Sequence, residues 1–365
     1  NSSPDDMNLN LKLTVTIVTK DMSKEELIRQ YQLLIHKTTV DNSKGAPFKI
    51  RHYADTMKLL TNFPNETLDD IEELEKWFKL NGKKNPSKII DNVREFLEKG
   101  YLPQAKDAMD NPVVKAVVNL TKVANIGPAK AKELQSKYGI TTVEELKTKF
   151  KSDNSIIHSK QQLGLKYHDD LITRIPRDEM IEYNKTLGDI CKSISSDMMF
   201  SINGSFRREH SSSGDIDVLI SGPSGKNKEF RDLFISRLKD VGIVKEILAS
   251  GKKKFMGIAK LEGYSSYRHI DIIDTELEQY PFAQLYFTGS GGFNSHMRLI
   301  ALKKGYSMNE YCISDKKTKK PVSSEDIMAK IKKDRFETEE DIFSFIELDY
   351  VEPKYRNTTT LSKVI

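Results

Sequence analysis

The segment from Gly204 to Val218 limits what this chain can fold into more than any other. It reads Gly204-Ser205, eight residues, then Gly214-Asp215-Ile216-Asp217-Val218. Side chains two apart on a strand share a face, so Asp215 and Asp217 are expected to point one way while Ile216 and Val218 enter a core. Two carboxylates held side by side repel each other, and in a partly buried site that repulsion is relieved by a divalent cation; oxygen-only ligands suit magnesium. Upstream, Gly204 and Ser205 open a turn whose backbone can approach a triphosphate closely, with Arg208, Ser213 and Gly214 completing the cradle. Acidic residues at this spacing are commonly no more than a solvent face. The phosphate-cradling turn coupled to them is what sets this pair apart.

A third carboxylate, Asp271, lies in the strand-like run His269-Ile270-Asp271-Ile272-Ile273. If that strand lies beside the first, three carboxylates converge, enough for two metal ions about 3.5–4 Å apart that serve an in-line phosphoryl displacement. The combination is the signature of the nucleotidyltransferase superfamily. Further β-like runs at residues 218–220 and 254–259, with a helical stretch at 228–241, predict a mixed sheet flanked by helices.

The rest of the chain must supply other cores. At 365 residues it exceeds one small domain, so roughly two to four compact units are expected. Charged residues are 30% and hydrophobic ones 38%, a globular balance. Cys191 and Cys312 form no CxxC pair and lie near no His at ligand spacing, which argues against zinc or a disulfide framework. No run approaches the roughly 18 apolar residues of a membrane helix, and the opening Asn-Ser-Ser-Pro-Asp-Asp lacks signal-peptide character, so a soluble intracellular protein is expected. The net charge is +5, with lysine runs at 83–84, 252–254, 316–320 and 330–333 that read either as solvated surface or as a nucleic-acid footprint.

Alternation at Leu9, Leu11, Leu13, Val15 and Ile17 predicts a strand. Ser23 and Glu26 then cap a helix with an apolar stripe at Leu27, Ile28, Tyr31, Leu34 and Ile35, followed by a polar linker over 38–47. This extension of 47 residues is too short for a core of its own and is expected to dock on the rest. Residues 48–104 form several short amphipathic helices. Over 114–138 two helical patterns flank Val123-Ala124-Asn125-Ile126-Gly127, with Pro128 suited to a first turn and Gly139 to a stop. A helix-hairpin-helix, whose turn seats a phosphate on backbone N–H groups, and an ordinary helical hairpin both fit.

With the Gly204 motif in view, the sequence resembles the X family of DNA polymerases, whose type is DNA polymerase beta. Further blocks agree: Gly164-Leu165-Lys166-Tyr167, the run from Arg174 to Met180, Lys254-Phe255-Met256-Gly257, and Tyr286-Phe287-Thr288-Gly289-Ser290 continuing to Phe293-Asn294, Met297-Arg298 and Asn309-Glu310-Tyr311. The match runs from about residue 48 to 356. It implies an α+β multidomain fold: an extension (1–47), a lyase-like helical domain (48–107), a helix-hairpin-helix subdomain (108–176), a nucleotidyltransferase-type palm with a mixed β-sheet (177–277) and a nucleotide-selecting C-terminal subdomain (278–365).

By the same resemblance, Asp215 and Asp217 bind two Mg2+ ions, replaceable by Mn2+, while Asp271 binds the catalytic one. Ser205, Arg208, Ser213, Gly214 and Arg174 hold the triphosphate of an incoming deoxynucleotide. Tyr286, Phe287 and Gly289 lie beside its sugar, where no room is left for a 2′-hydroxyl. Asn294 contacts the base edge and Arg298 the template. Ala124, Asn125 and Gly127 grip the primer backbone, and the carbonyls of Thr121, Val123 and Ile126 hold Na+ or K+. Lys254, Asn309 and Glu310 complete the DNA contacts, and Lys49, Tyr53 and Lys88 take a 5′-phosphate. The implied activity is template-directed filling of short gaps in DNA repair by a monomer that meets other repair proteins, in the nucleus of a eukaryotic cell or in a virion or host cytoplasm if viral.

Departures mark the helical domain most. The family's 5′-deoxyribose-phosphate lyase forms an imine on a lysine, yet Asn92 stands at that position, and an amide cannot do so. Residues 84–87 replace a glycine-rich hairpin. His269 replaces an arginine beside the third aspartate, and Gly291 stands where a larger side chain packs by the incoming base, which is expected to loosen nucleotide selection. The insertion over 315–336 carries seven lysines, either a further DNA track or a solvated loop. Two other readings compete: a template-independent transferase, which needs an extra loop where 248–254 is short, and a DNA-binding repair scaffold, which would not need all three carboxylates.

Overall fold

In the computed structural model, residues 23–356 are described, apart from 64, 66 and 224; the strand expected over residues 9–17 lies outside them. The sheet at the heart of the chain has five strands in the order Met199–Ile202, Ile216–Ser221, Arg268–Asp274, Lys254–Ala259, Val244–Ser250. The Ile216–Ser221 and Arg268–Asp274 strands run parallel, with Asp217 opposite Asp271. All other pairs in this sheet are antiparallel, so it is the mixed sheet expected. Alternation does the sorting. Ile216, Val218 and Ile220 enter one core with the helices Arg177–Ile194 and Asn227–Asp240. Leu219 faces the other way, against Tyr280 and Ala283.

Three more cores surround the sheet. Leu60, Trp77, Phe78, Val93 and Phe96 build the first helical unit. Leu27, Tyr31 and Leu34 of the Lys24–Asp41 helix lie in that same core, so the extension does not stand apart from it. The linker expected over 38–47 is shorter than read, because the first helix runs to Asp41 and the next begins at Ala46. Thr38 and Thr39 hide their polarity by donating to the Leu34 and Ile35 carbonyls, which lets polar residues continue the helix.

The helices Pro112–Leu120 and Pro128–Tyr138 flank the expected hairpin turn, with Pro128 in the first turn and Gly139 left-handed at φ 68°. Gly164 is required here, since a Cβ would run into the Ala124 carbonyl of that turn. The C-terminal unit packs Phe282, Phe293, Phe343 and Phe345 around the helices Tyr280–Thr288 and Gly291–Lys303. Among the described residues no helix is long and apolar enough to cross a membrane. The fold is α+β, helical units around one mixed sheet.

Candidate active site

Gly204 begins the short helix Gly204–Arg207 with φ 59°, and a Cβ there would lie 2.8 Å from Asp217 Oδ2. Only glycine lets the turn close down on the carboxylate. Ser205 donates to Ser213 Oγ at 3.1 Å, tying the turn to the Ser212–Ser213 strand. Arg174 is held by Ser212, through its Oγ at 2.7 Å and its carbonyl at 2.6 Å, and aims a guanidinium nitrogen at Gly214. Arg208 donates to the Thr288 carbonyl at 2.5 Å. Burial lowers its pKa below the ordinary arginine value, with Asp217 pulling the other way, and the guanidinium stays charged.

The register places Asp217 beside Asp271, while Asp215 precedes the first strand residue, Ile216, and opens to solvent at the mouth. Burial, reinforced by Asp215 and Asp271, pushes the Asp217 carboxyl up to about 7. Asp215, although its outer edge meets solvent, is raised by partial desolvation beside the sheet and by the Asp271 charge. Asp271 pairs through Oδ2 with the Lys254 ammonium. Its buried Oδ1 has no hydrogen-bond partner among the described residues, and His269 Nδ1 stands 3.4 Å away. Among the described residues no three His, Cys, Asp or Glu side chains are already gathered around one metal position. The donors nonetheless fit a hard divalent cation: oxygens alone, mutually repelling, one of them buried and orphaned.

Above the cradle, Tyr286 and Phe287 meet edge to face with ring centroids 5.2 Å apart. The Arg298 guanidinium lies 5.1 Å from the Tyr286 ring centroid, and Asn294 donates to the Tyr286 carbonyl at 2.7 Å. Gly289 has φ 70°, and a Cβ on it would sit 3.2 Å from Arg208 Nη1. Contacts and register thus link Asp215, Asp217, Asp271, Ser205, Ser213, Gly214, Arg174, Arg208, Lys254 and Gly289 into one neighbourhood.

The other residues singled out from sequence belong elsewhere. Val123 and Ile126 bury their side chains in the hairpin core, and the Val123 carbonyl accepts from Ile126 N–H at 3.0 Å. Thr121 caps the first hairpin helix, and Gly127 precedes the second in extended conformation. Ala124 packs on Gly164, while Asn125, left-handed at φ 66°, donates to the Lys160 carbonyl at 3.1 Å. Asn309 accepts from the Tyr311 and Cys312 N–H groups at 2.9 and 3.0 Å, making it the former of its own turn, with Glu310 at the tip. Lys49, Tyr53 and Lys88 lie on the first helical unit, where Tyr53 packs on Tyr31 with centroids 6.0 Å apart. Asn92 donates to the Tyr31 hydroxyl at 3.4 Å, and burial pushes that phenol up to about 12.

Sequence reasoning missed one network. Buried Glu339 accepts from Arg207 and from Arg356, while Arg207 also donates to Thr288 Oγ at 2.8 Å. The cradle is thereby fastened to the C-terminal unit across 132 residues of chain. No local pattern signals it. At Gly291, the space a side chain would take is filled by Asn62 of the first helical unit.

Known proteins resemble the chain along most of this architecture. Family models for the fingers domain of DNA polymerase lambda, the DNA polymerase beta palm and the DNA polymerase beta thumb match residues 118–172, 174–276 and 283–357 respectively. DNA polymerase lambda of Arabidopsis thaliana is 28% identical over 285 residues, 73% of this chain and 51% of that protein. DNA polymerase lambda of Rattus norvegicus is 29% identical over 284 residues, 74% of this chain and 47% of that protein. DNA nucleotidylexotransferase of Gallus gallus is 26% identical over 303 residues, 74% of this chain and 56% of that protein. The chain thus spans about half the length of the curated relatives it matches.

Proposed function

We propose, for a chain that belongs to the X family of DNA polymerases, that it extends a primer 3′-hydroxyl with template-matched deoxynucleotides in short gaps of duplex DNA. The observation that carries this reading is the parallel pairing of Asp217 with Asp271 directly against the Gly204 turn. It sets two carboxylates beside the turn that this reading takes as the phosphate cradle.

In this reading Asp215, Asp217 and Asp271 hold two Mg2+ ions, with Mn2+ able to substitute. When bound, such ions neutralise the carboxylates, lower the pKa of an attacking hydroxyl and stabilise a leaving pyrophosphate. Ser205, Ser213 and the Gly214 N–H bind the triphosphate, with Arg208 already oriented by the Thr288 carbonyl and Arg174 by Ser212. Lys254, released from Asp271, turns to the primer phosphates. Tyr286, Phe287 and Gly289 fill the place of a 2′-hydroxyl, which selects deoxynucleotides. Asn294 reads the base edge, and Arg298, braced on Tyr286, lies along the template.

The hairpin at 121–127 seats the primer backbone, with Na+ or K+ on its carbonyls, while Asn309 and Glu310 line the template side. Lys49, Tyr53 and Lys88 take the 5′-phosphate at the far end of the gap, where Asn92 supplies no imine-forming amine. The protein works as a monomer beside other repair proteins wherever its DNA resides, the nucleus in a eukaryotic cell.

A template-independent transferase is the second reading. Against it stands the hairpin after Val244–Ser250, which is closed tightly by the Gly251 N–H donating to the Lys254 carbonyl at 2.7 Å, with no added loop. Magnesium-dependent extension on singly gapped DNA, each deoxynucleotide offered separately and Asp271→Ala as control, tests both. Addition of only the matched base, lost in the variant, is expected; addition regardless of template would favour the transferase, and DNA binding without addition would leave a scaffold.

A further inference from the structure

Gly291 opens the helix Gly291–Lys303 immediately beside the triphosphate cradle. A Cβ on Gly289 would meet both Arg208 Nη1, at 3.2 Å, and the Gly291 backbone nitrogen, at 3.5 Å. A Cβ on Gly291 would in turn lie 2.5 Å from Asn62 Oδ1. Asn62 ends the Ala46–Thr61 helix of the first helical unit, so a side chain from a different unit occupies the space this glycine leaves open.

The backbone that carries Asn62 is fixed. Its N–H caps the preceding helix on the Lys58 carbonyl at 3.1 Å. Trp77 donates from Nε1 to the Leu59 carbonyl at 3.0 Å and sets its ring edge-on to His296 of the Gly291–Lys303 helix, centroids 6.2 Å apart. The carboxamide itself makes no hydrogen bond among the described residues, although it is half-buried. A carboxamide carried on a fixed helix end and left without a protein partner keeps its donors and its acceptor available to a ligand. Gly291 and Asn294 are one turn apart on one helix face, so the Asn62 carboxamide meets the same face of the helix that carries Asn294.

We infer that Asn62 hydrogen-bonds the incoming nucleotide, completing from the first helical unit a site otherwise built by the sheet and the C-terminal unit. This rests on the polymerase reading above. A carboxamide offers both a donor and an acceptor and can present either by rotation. Asn62 therefore adds affinity for all four deoxynucleotides and does not choose among them.

The test compares wild type, Asn62→Ala, Gly291→Ala and the double variant, with the equilibrium affinity of a fluorescent deoxynucleoside triphosphate in calcium and KM and kcat for each natural one. Loss of one neutral hydrogen bond predicts about a fivefold weaker affinity and higher KM in Asn62→Ala for every base, with kcat changed less than about twofold. Gly291→Ala, whose methyl displaces Asn62, should match it, and the double variant should be no worse than either. Trp77, the only tryptophan, reports docking, and its emission should be unchanged by Asn62→Ala. Equal nucleotide affinity in wild type and Asn62→Ala would overturn the inference, as would multiplying effects in the double variant or a shifted Trp77 emission. Wild type that binds nucleotide but extends no primer would sink the polymerase reading instead, leaving the affinity comparison to decide Asn62.

Discussion

Glu339→Ala should loosen the C-terminal unit and the nucleotide cradle together. The Glu339 carboxylate is 3% exposed and accepts from Arg207 at 2.9 and 3.0 Å and from Arg356 at 2.8 and 2.9 Å. Arg356 is fully buried, its guanidinium 5.5, 5.4 and 5.3 Å from the ring centroids of Phe293, Phe343 and Tyr350. Those rings and the Val351 carbonyl, which accepts from Nε at 2.8 Å, are all that would remain to it. Deleting the shared anion strands two guanidiniums, and removing one partner of a buried pair costs about 3–5 kcal/mol. Arg356 has no route to water, so the upper half of that range is expected.

Urea unfolding followed by circular dichroism reads this loss. With a slope of about 3 kcal/mol per molar, the midpoint of the affected transition should fall by about 1.3–1.7 M. Glu339→Gln keeps the shape and one good acceptor, so about half the shift is expected. The pH dependence has a definite sign. Burial alone would raise the Glu339 carboxyl, but Arg356 first and then Arg207 outweigh it and hold the pKa below the ordinary 4.5. The carboxylate's contribution is therefore whole above that unfolded value and is lost as pH falls through the folded one. Since Arg207 also braces Thr288, the variant should raise the nucleotide KM as well. A midpoint within about 0.3 M of wild type, less than about 1 kcal/mol, would refute the reasoning.

Other outcomes follow from single contacts. Burial holds the His296 imidazole below its usual 6.5, with Glu73 pulling it up and Lys303 down, so docking of the first helical unit is complete above that value and weakens as pH falls through the lowered one. Trp77 emission should shift between about pH 7 and about pH 5 in wild type and stay flat in His296→Phe; equal shifts in both would exclude His296 as the cause. Borohydride should trap no covalent adduct with 5′-deoxyribose-phosphate DNA in wild type, whereas Asn92→Lys should gain one; trapping by wild type would mean another lysine serves. Divalent ion at 100 times its dissociation constant should stabilise the folded protein by about 2.7 kcal/mol, seen as a higher melting temperature. That gain should vanish in Asp217→Asn, and its survival there would move the metal elsewhere.

What was legible in the sequence was local. Gly204 and Asp217 stand thirteen residues apart, yet a strand's alternation and a glycine's freedom couple the turn to the carboxylates, and in the fold a Cβ on Gly204 would lie 2.8 Å from Asp217 Oδ2. Ile216 and Val218 went to the core for the same reason. Register was the missing information: nothing in residues 268–274 alone says that Asp271 lands opposite Asp217, because pairing is settled by the whole sheet. The Glu339 network is further from view still. Glu339 opens the Glu339–Phe345 helix after the Thr338 cap, where an acidic residue is expected for ordinary helix reasons. Its burial against Arg207 and Arg356 depends on two other segments arriving there.

Two glycines show why a departure from a motif should be read in three dimensions. Gly164 sits in a matching block, and its reason appears only when the Ala124 carbonyl is found where a Cβ would be. Gly291 breaks the pattern, which from sequence alone reads as a lost side chain and a looser site. In the fold, the vacated volume is occupied by Asn62, delivered by a helix more than two hundred residues earlier in the chain, on a unit whose Trp77 meets His296 of the Gly291–Lys303 helix. A side chain can thus be relocated rather than deleted, at the cost of making the site depend on docking between units. That dependence is the physical difference: a residue on the helix itself travels with the site, whereas Asn62 is present only while the first helical unit is closed against it. Nucleotide affinity and the pH-sensitive Trp77 signal should therefore move together in the wild-type protein, and come apart once Asn62 is replaced by alanine.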